Sequence, residues 1–209
     1  MKKLSAILFL FFALVGFSAA QTITIGDQVW MTKNLNVDKF RNGDPIPEAK
    51  TDEDWIKAGE NKQPAWCYYE NDPANGEKYG KLYNWYAVND PRGLAPEGWH
   101  VPSDSEWIQL INYLGGKKVA GGKMKTTSEW EAPNTDASNS SGFSGLPGGF
   151  RQGHSGQFIF MTGYGYWWSS TEGGSSTKNA WAKGLSYSNG AITIGSSKES
   201  GYSFRCIKD

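Results

Sequence analysis

The clearest hydrophobic periodicity in the chain lies between Gly98 and Gly116, in the string GWHVPSDSEWIQLINYLGG. Trp107, Leu110, Ile111 and Leu114 fall at i, i+3, i+4 and i+7, one apolar stripe at helical spacing. The ends of this helix are also written in. Ser103 stands at the N-cap and Glu106 three residues on completes a capping box. Asp104 and Glu106 place negative charge on the first turn, where the helix dipole favours it. Gly115 and Gly116 supply a left-handed stop. A shorter helix is expected over residues 51–58, with Thr51 as cap and Asp54 three residues later. Asp52, Glu53 and Asp54 there read as first-turn charges rather than a carboxylate site. The spacing of Leu82, Tyr83, Tyr86 and Ala87 predicts a further helix over residues 81–88.

Elsewhere the pattern shifts towards alternation. Residues 21–40 read as N-terminal strands, with a turn or bulge at Gly26-Asp27. Residues 65–69 form an aromatic strand. Residues 71–80, NDPANGEKYG, read as a loop. A calcium loop is excluded there, because Pro73 stands where a ligand belongs and no bidentate Glu closes the set. Residues 117–142 are loop-rich. Strands are expected over residues 143–151, 157–161, 166–171, 179–187, 191–194 and 202–207. Asn189-Gly190 predicts a type I′ hairpin turn with both residues at positive φ. Trp167 and Trp168 are neighbours on a strand and therefore face opposite sides. With no internal repeat and no linker, residues 21–209 form one domain.

Residues 1–20 are read as a secretory signal peptide: Lys2 and Lys3, an apolar run from Leu4 to Phe17, then small residues before Gln21. The run is too short to span a bilayer, so no membrane insertion is expected after cleavage. Export places the chain in the periplasm, on the cell surface or outside the cell. The net charge of +0 gives no reason to expect a nucleic-acid partner. The 26 glycines and 10 tryptophans indicate turns and bulges around large aromatic anchors, a loop-rich β or α+β composition. An oxidising compartment makes a disulfide between Cys67 and Cys206 the default, with two buried thiols as the alternative. The two histidines, His100 and His154, cannot form a three-His metal set, and no metal or cofactor is expected. Trp130, His154, Tyr164 and Trp167 are the candidate ligand-binding residues, since exposed aromatic rings beside polar loops can stack on sugars or anchor a protein.

Six ordered strings carry a family likeness: IGDQVWMTKNLN (25–36), YGKLYNWYAV (79–88), GWHVPSDSEW (98–107), SGFSGLPGGFR (141–151), GYWWSST (165–171) and SFRCIKD (203–209). Together they closely resemble the Fibrobacter succinogenes major paralogous domain, found in exported proteins of Fibrobacter and Bacteroidetes-type bacteria and without an assigned function. PSDSEW is more distantly similar to the RLPTEAEW signature of the formylglycine-generating-enzyme fold, a relative of the C-type lectin fold. That resemblance implies an α+β fold of irregular antiparallel strands, two main helices and many loops. It also implies that Cys206, in the string SFRC, sits on a central strand in a structural disulfide. It does not transfer the enzyme's chemistry, because the second C-terminal cysteine of the copper pair is missing. The EPN or QPD and WND strings of calcium-dependent lectins are missing too. The expectation is a non-catalytic exported binding module for a glycan or protein, presented by loops 117–142, 152–165 and 172–178. Two other readings stand beside it: an enzyme with a carboxylate or lone-His site in the same loops, and a structural or adhesion component of the cell surface.

Overall fold

The computed structural model describes residues 21–174 and 176–209; the expected signal peptide, residues 1–20, lies outside the described residues. In chain order the strands are β1 (Thr22–Ile25), β2 (Gln28–Met31), β3 (Trp66–Cys67), β4 (Leu82–Tyr83), β5 (Trp99–His100), β6 (Gly148–Arg151), β7 (Phe158–Met161), β8 (Tyr164–Glu172), β9 (Asn179–Ser186), β10 (Asn189–Ser197) and β11 (Ile207–Lys208). The α-helices are α1 (Asp52–Glu60), α2 (Pro73–Tyr79), α3 (Trp85–Val88), α4 (Asp104–Tyr113) and α5 (Ala120–Met124). The fold is α+β. A sheet of order β1-β2-β11-β5 joins the two ends of the described chain, a sheet of order β10-β9-β8-β6-β7 forms the second half, and β3 pairs with β4.

The local rules hold where the signal is local. Ser103 Oγ accepts from the Glu106 amide and Glu106 Oε2 accepts from the Ser103 amide, a complete capping box for α4. The expected stripe of Trp107, Leu110, Ile111 and Leu114 is buried. Thr51 caps α1 through the Asp54 amide, and Gly26 turns β1 into β2 at φ 61°.

Three local readings are corrected. Residues 71–80 contain a helix, α2: Asp72 accepts from the Ala74 amide, and Pro73 opens the first turn, where a missing N–H leaves nothing unpaired. Over residues 81–88, β4 comes first and the helix begins only after Asn84. The Asn84 side chain caps α3 through the Ala87 amide and accepts from the Ala65 amide as well. The β9–β10 turn is Tyr187-Ser188, so Asn189 already pairs with Ser186, and neither Asn189 nor Gly190 has positive φ. Gly190 serves close packing instead. A Cβ on it would meet Asp136 Oδ2 at 2.9 Å, and one on Gly121 in α5 would meet Gly190 O at 2.8 Å.

The expected disulfide is also corrected: Cys67 and Cys206 are both free and buried. Strand alternation gives the reason. On β3 it is Trp66 that faces the core holding Cys206, whereas Cys67 faces a separate cluster with Trp55, Tyr69 and Leu82. Burial pushes the Cys67 thiol up to about 12 against the opposing pull of Arg151, and burial raises Cys206 too. Both are inert packing groups.

Irregular segments are tied together by buried cations. Lys125 Nζ donates to the carbonyls of Thr135, Ser186 and Asn189 at 2.8, 2.8 and 3.1 Å. Arg151 donates to Gly156 O, Ala49 O, Thr51 O and Asp52 Oδ1 from between the rings of Trp55 and Phe158. Arg205 donates to Phe143 O and, through two nitrogens, to Asn34 Oδ1, which also accepts from Trp167 Nε1.

His100 clamps the chain end to α4. Its Nε2 lies 2.7 Å from Glu106 Oε1 and its Nδ1 lies 2.8 Å from Asp209 Oδ1. Ionised carboxylates only accept, so this geometry favours the protonated ring, in which both nitrogens donate. Burial alone would pull its pKa down; the two carboxylate hydrogen bonds outweigh that and raise it.

Two outcomes are expected. With its folded pKa raised, His100 adds stability that is fully present below its ordinary value of about 6.5 and is lost as pH rises through the folded value. In urea titrations this loss should amount to less than about 1 kcal/mol, because the pairs are partly exposed, and should vanish in His100→Asn. Separately, a thiol reagent should label neither cysteine in the native protein and both after unfolding without reductant. Unlabelled cysteines in the unfolded, unreduced protein would mean a bridge exists.

Candidate binding surface

The five-stranded sheet has two very different faces. On β8, alternation sends Tyr164, Tyr166 and Trp168 to one side and Gly165, Trp167 and Ser169 to the other. The register places Ser186, Gly184 and Ala182 of β9 opposite the first set, and Thr193 and Gly195 of β10 beyond them. Small residues under large rings are the local reason the rings settle where they do. A Cβ on Gly184 would lie 2.4 Å from the Tyr166 ring, and one on Gly195 would lie 2.9 Å from the Tyr202 ring.

The result is a continuous aromatic array. Trp168 touches Tyr202 at 4.6 Å between centroids; Tyr202 stacks on Tyr166 at 5.0 Å; Tyr166 and Tyr164 are near-parallel, 6° apart at 6.2 Å. Phe150 of β6 meets Tyr166 edge-on at 5.3 Å, and Phe160 of β7 meets Tyr164 at 5.1 Å. The array starts in the core, where Trp168 is fully covered, and surfaces at Phe160, which is 57% exposed. Phe150, Tyr164 and Tyr166 are half-buried between these ends.

Phe160 also has φ 61°, and Thr162 has φ 66°. A bulky side chain in that region is an outlier, with a cost of about 1–3 kcal/mol. The turn is held by backbone bonds from outside it: Thr162 N to Pro147 O, Glu131 N to Thr162 O and Tyr187 N to Gly163 O. An exposed ring is thus kept in a strained setting by its surroundings.

The opposite face packs on α4. Trp167 and Leu185 are buried there, and Lys183 pairs with Asp104 of the helix. Beside that pair lies a cavity of about 260 Å³, lined by Ile108, Ile111, Trp181, Ile192 and Ile194. A polar groove of about 470 Å³ runs past Asn34, Asn36 and Thr126. Several of its polar groups serve the fold: Asn34 binds Arg205, Trp167 and Tyr79 O, Asn36 binds Gly76 O and Lys81, and Thr126 Oγ1 bonds Ser128 O; Lys33 and Glu77 also line it. Among the described residues, no group of three or more His, Cys, Asp or Glu side chains could hold a metal ion, and no helix is long and apolar enough to cross a membrane.

Of the four residues expected to bind ligand, the array contains only Tyr164. Trp130 is buried, its Nε1 donating to Thr126 Oγ1 and Gly145 O. Trp167 is 1% exposed, and its Nε1 is committed to Asn34. Both are core residues, because their indole N–H groups find partners inside. His154 is exposed in the turn between β6 and β7, a turn that approaches Glu199 through Gly153 and Asp52 through Gly156. Phe150, Phe160, Tyr166 and Tyr202 were not anticipated. A signal for them exists: Tyr-x-Tyr-x-Trp on one strand facing Ala-x-Ala-x-Gly-x-Ser on the next, large rings over small residues.

A sequence model described as the Fibrobacter succinogenes major domain matches residues 23–208. No curated protein and no solved structure matches the chain.

Proposed function

We propose that this chain, which belongs to the Fibrobacter succinogenes major domain family, is an exported, non-catalytic binding module whose contact surface is the aromatic face of its larger sheet. The observation that carries the reading is Phe160. An exposed ring on a strained backbone, in contact with half-buried rings, is a feature that folding alone does not favour. The loops around it are anchored rather than free, so the surface is preformed. On the finer fold, we infer a C-type-lectin-like scaffold. The family strings, the joining of both chain ends in one sheet and the two longest helices, α1 and α4, support it. The signal-peptide reading of residues 1–20 supports export.

The test is retention of purified residues 21–209 on cell envelopes of the producing bacterium. Phe160→Ser should lower retention at least tenfold, while its thermal transition stays nearly unchanged, because the ring is largely exposed and Ser keeps the Cβ that makes φ 61° unfavourable. Retention that ignores Phe160→Ser and Tyr164→Ser would overturn the reading.

A further inference from the structure

The other face of the large sheet, away from the Phe160 surface, carries a second candidate site. Here α4 packs chiefly against β8 and β9, which leaves a cleft of about 260 Å³ between the helix and the strands β9 and β10. Asp104, Ile108 and Ile111 face the cleft from α4, at the i, i+4 and i+7 spacing of one helix side. Trp181 and Lys183 face it from β9, two residues apart on one side of the strand. Ile194 of β10 stands directly across from Lys183 in the sheet register. Ile111 and Ile192 are buried at the floor, whereas Ile108 and Ile194 at the rim are 48% and 45% exposed.

One polar group is out of keeping with these apolar walls. The Lys183 side chain lines the cleft yet is only 8% exposed. Its ammonium has three N–H donors, and among the described residues Asp104 is its one hydrogen-bond partner. A buried donor without an acceptor is unfavourable, so the remaining donors call for an acceptor inside the cleft. Charge indicates which kind. Lys183 and Lys117 line the cleft against Asp104 alone, two cations to one carboxylate. A carboxylate on the ligand evens that balance, and an ammonium would worsen it.

Size sets the rest of the ligand. A stable protein interface buries about 800 Å² on each side, far more than a rim of two half-exposed isoleucines provides. An apolar cavity of about 150 Å³ holds benzene. On that scale a cleft of about 260 Å³ holds roughly ten non-hydrogen atoms.

We infer that this cleft binds a small amphipathic carboxylate, with its apolar body between Ile108 and Ile194 and its carboxylate on the Lys183 ammonium. The site is independent of the Phe160 surface, and each can fail without the other.

Octanoate is a probe of the right size and charge. Calorimetric titration of residues 21–209 should show one octanoate site per chain, with a dissociation constant below about 1 mM. Octanol should bind at least fivefold more weakly, and octylamine should show no saturable binding. Ile108→Trp, at an exposed helix position, should fill the mouth and abolish octanoate binding with little change in the thermal transition. Lys183→Met should reduce octanoate to the affinity of octanol, with near-ultraviolet circular dichroism confirming a folded core. Absence of saturable octanoate binding, octanol binding as tightly as octanoate, or octanoate binding that persists in Ile108→Trp would each overturn the assignment. If octanoate does not bind and the protein sediments as a dimer that Ile194→Glu dissociates, a second copy covers the cleft and the assignment falls.

Discussion

Lys125, Arg151 and Arg205 hold together a chain that has little continuous secondary structure between its sheets. Buried backbone carbonyls must find donors, and in irregular segments neither a helix nor a ladder supplies them. Here a long cationic side chain reaches several at once. Lys125 gathers Thr135 O from one loop and Ser186 O and Asn189 O from the ends of the β9–β10 turn. Arg151 joins the end of β6 to the start of α1. Arg205 joins the C-terminal segment to Phe143 O and to Asn34. Burying such charges is unfavourable, by several kcal/mol each, and burial does work against charge on Lys125 and Arg205. What offsets it is charge-assisted bonding and the faces of nearby aromatic rings, such as Phe143 at 4.1 Å from the Arg205 guanidinium.

The aromatic face inherits its rigidity from these hubs. Lys125 fixes the carbonyl of Ser186, which lies opposite Tyr164 in the sheet. Arg205 fixes Asn34, which receives the Trp167 indole from the reverse side of β8. Tyr164 and Tyr166 therefore project from a strand anchored on its other face. The strained turn after Phe160 is secured by three neighbouring segments. The free thiols fit the same account: with loops tied by cations and indoles, no cross-link between Cys67 and Cys206 is needed to close the core.

Much of the scaffold was legible because its causes are local. The capping box of α4, the Thr51 cap and the Gly26 turn each lie within a few residues. The opposed placement of Trp167 and Trp168 follows from strand geometry alone, but their burial does not: both sides of β8 are covered at that point, one by α4 and one by Tyr202. The helix after Asp72 was missed because Asp-Pro reads equally as a turn and as a helix start. The Asn189-Gly190 turn was missed because tertiary packing against Asp136 and α5 claims that glycine. The disulfide expectation failed on a one-residue parity, Trp66 rather than Cys67 facing Cys206. The site was only partly visible. Tyr164 could be named from composition, but Phe150, Phe160 and Tyr202 join it only through strand register and chain crossings that the sequence does not state.

The hub account is tested most directly at Lys125, which has no carboxylate among its hydrogen-bond partners. Lys125→Met keeps the length and apolar stem, removes the buried charge and leaves three carbonyls without their donor. Each orphaned acceptor costs about 1–3 kcal/mol, so urea titration should show a loss of about 3 kcal/mol or more, with the slope unchanged. A midpoint that stays the same or rises would show that relieving charge burial outweighs the lost bonds, and that the loops are held by packing rather than by buried cations.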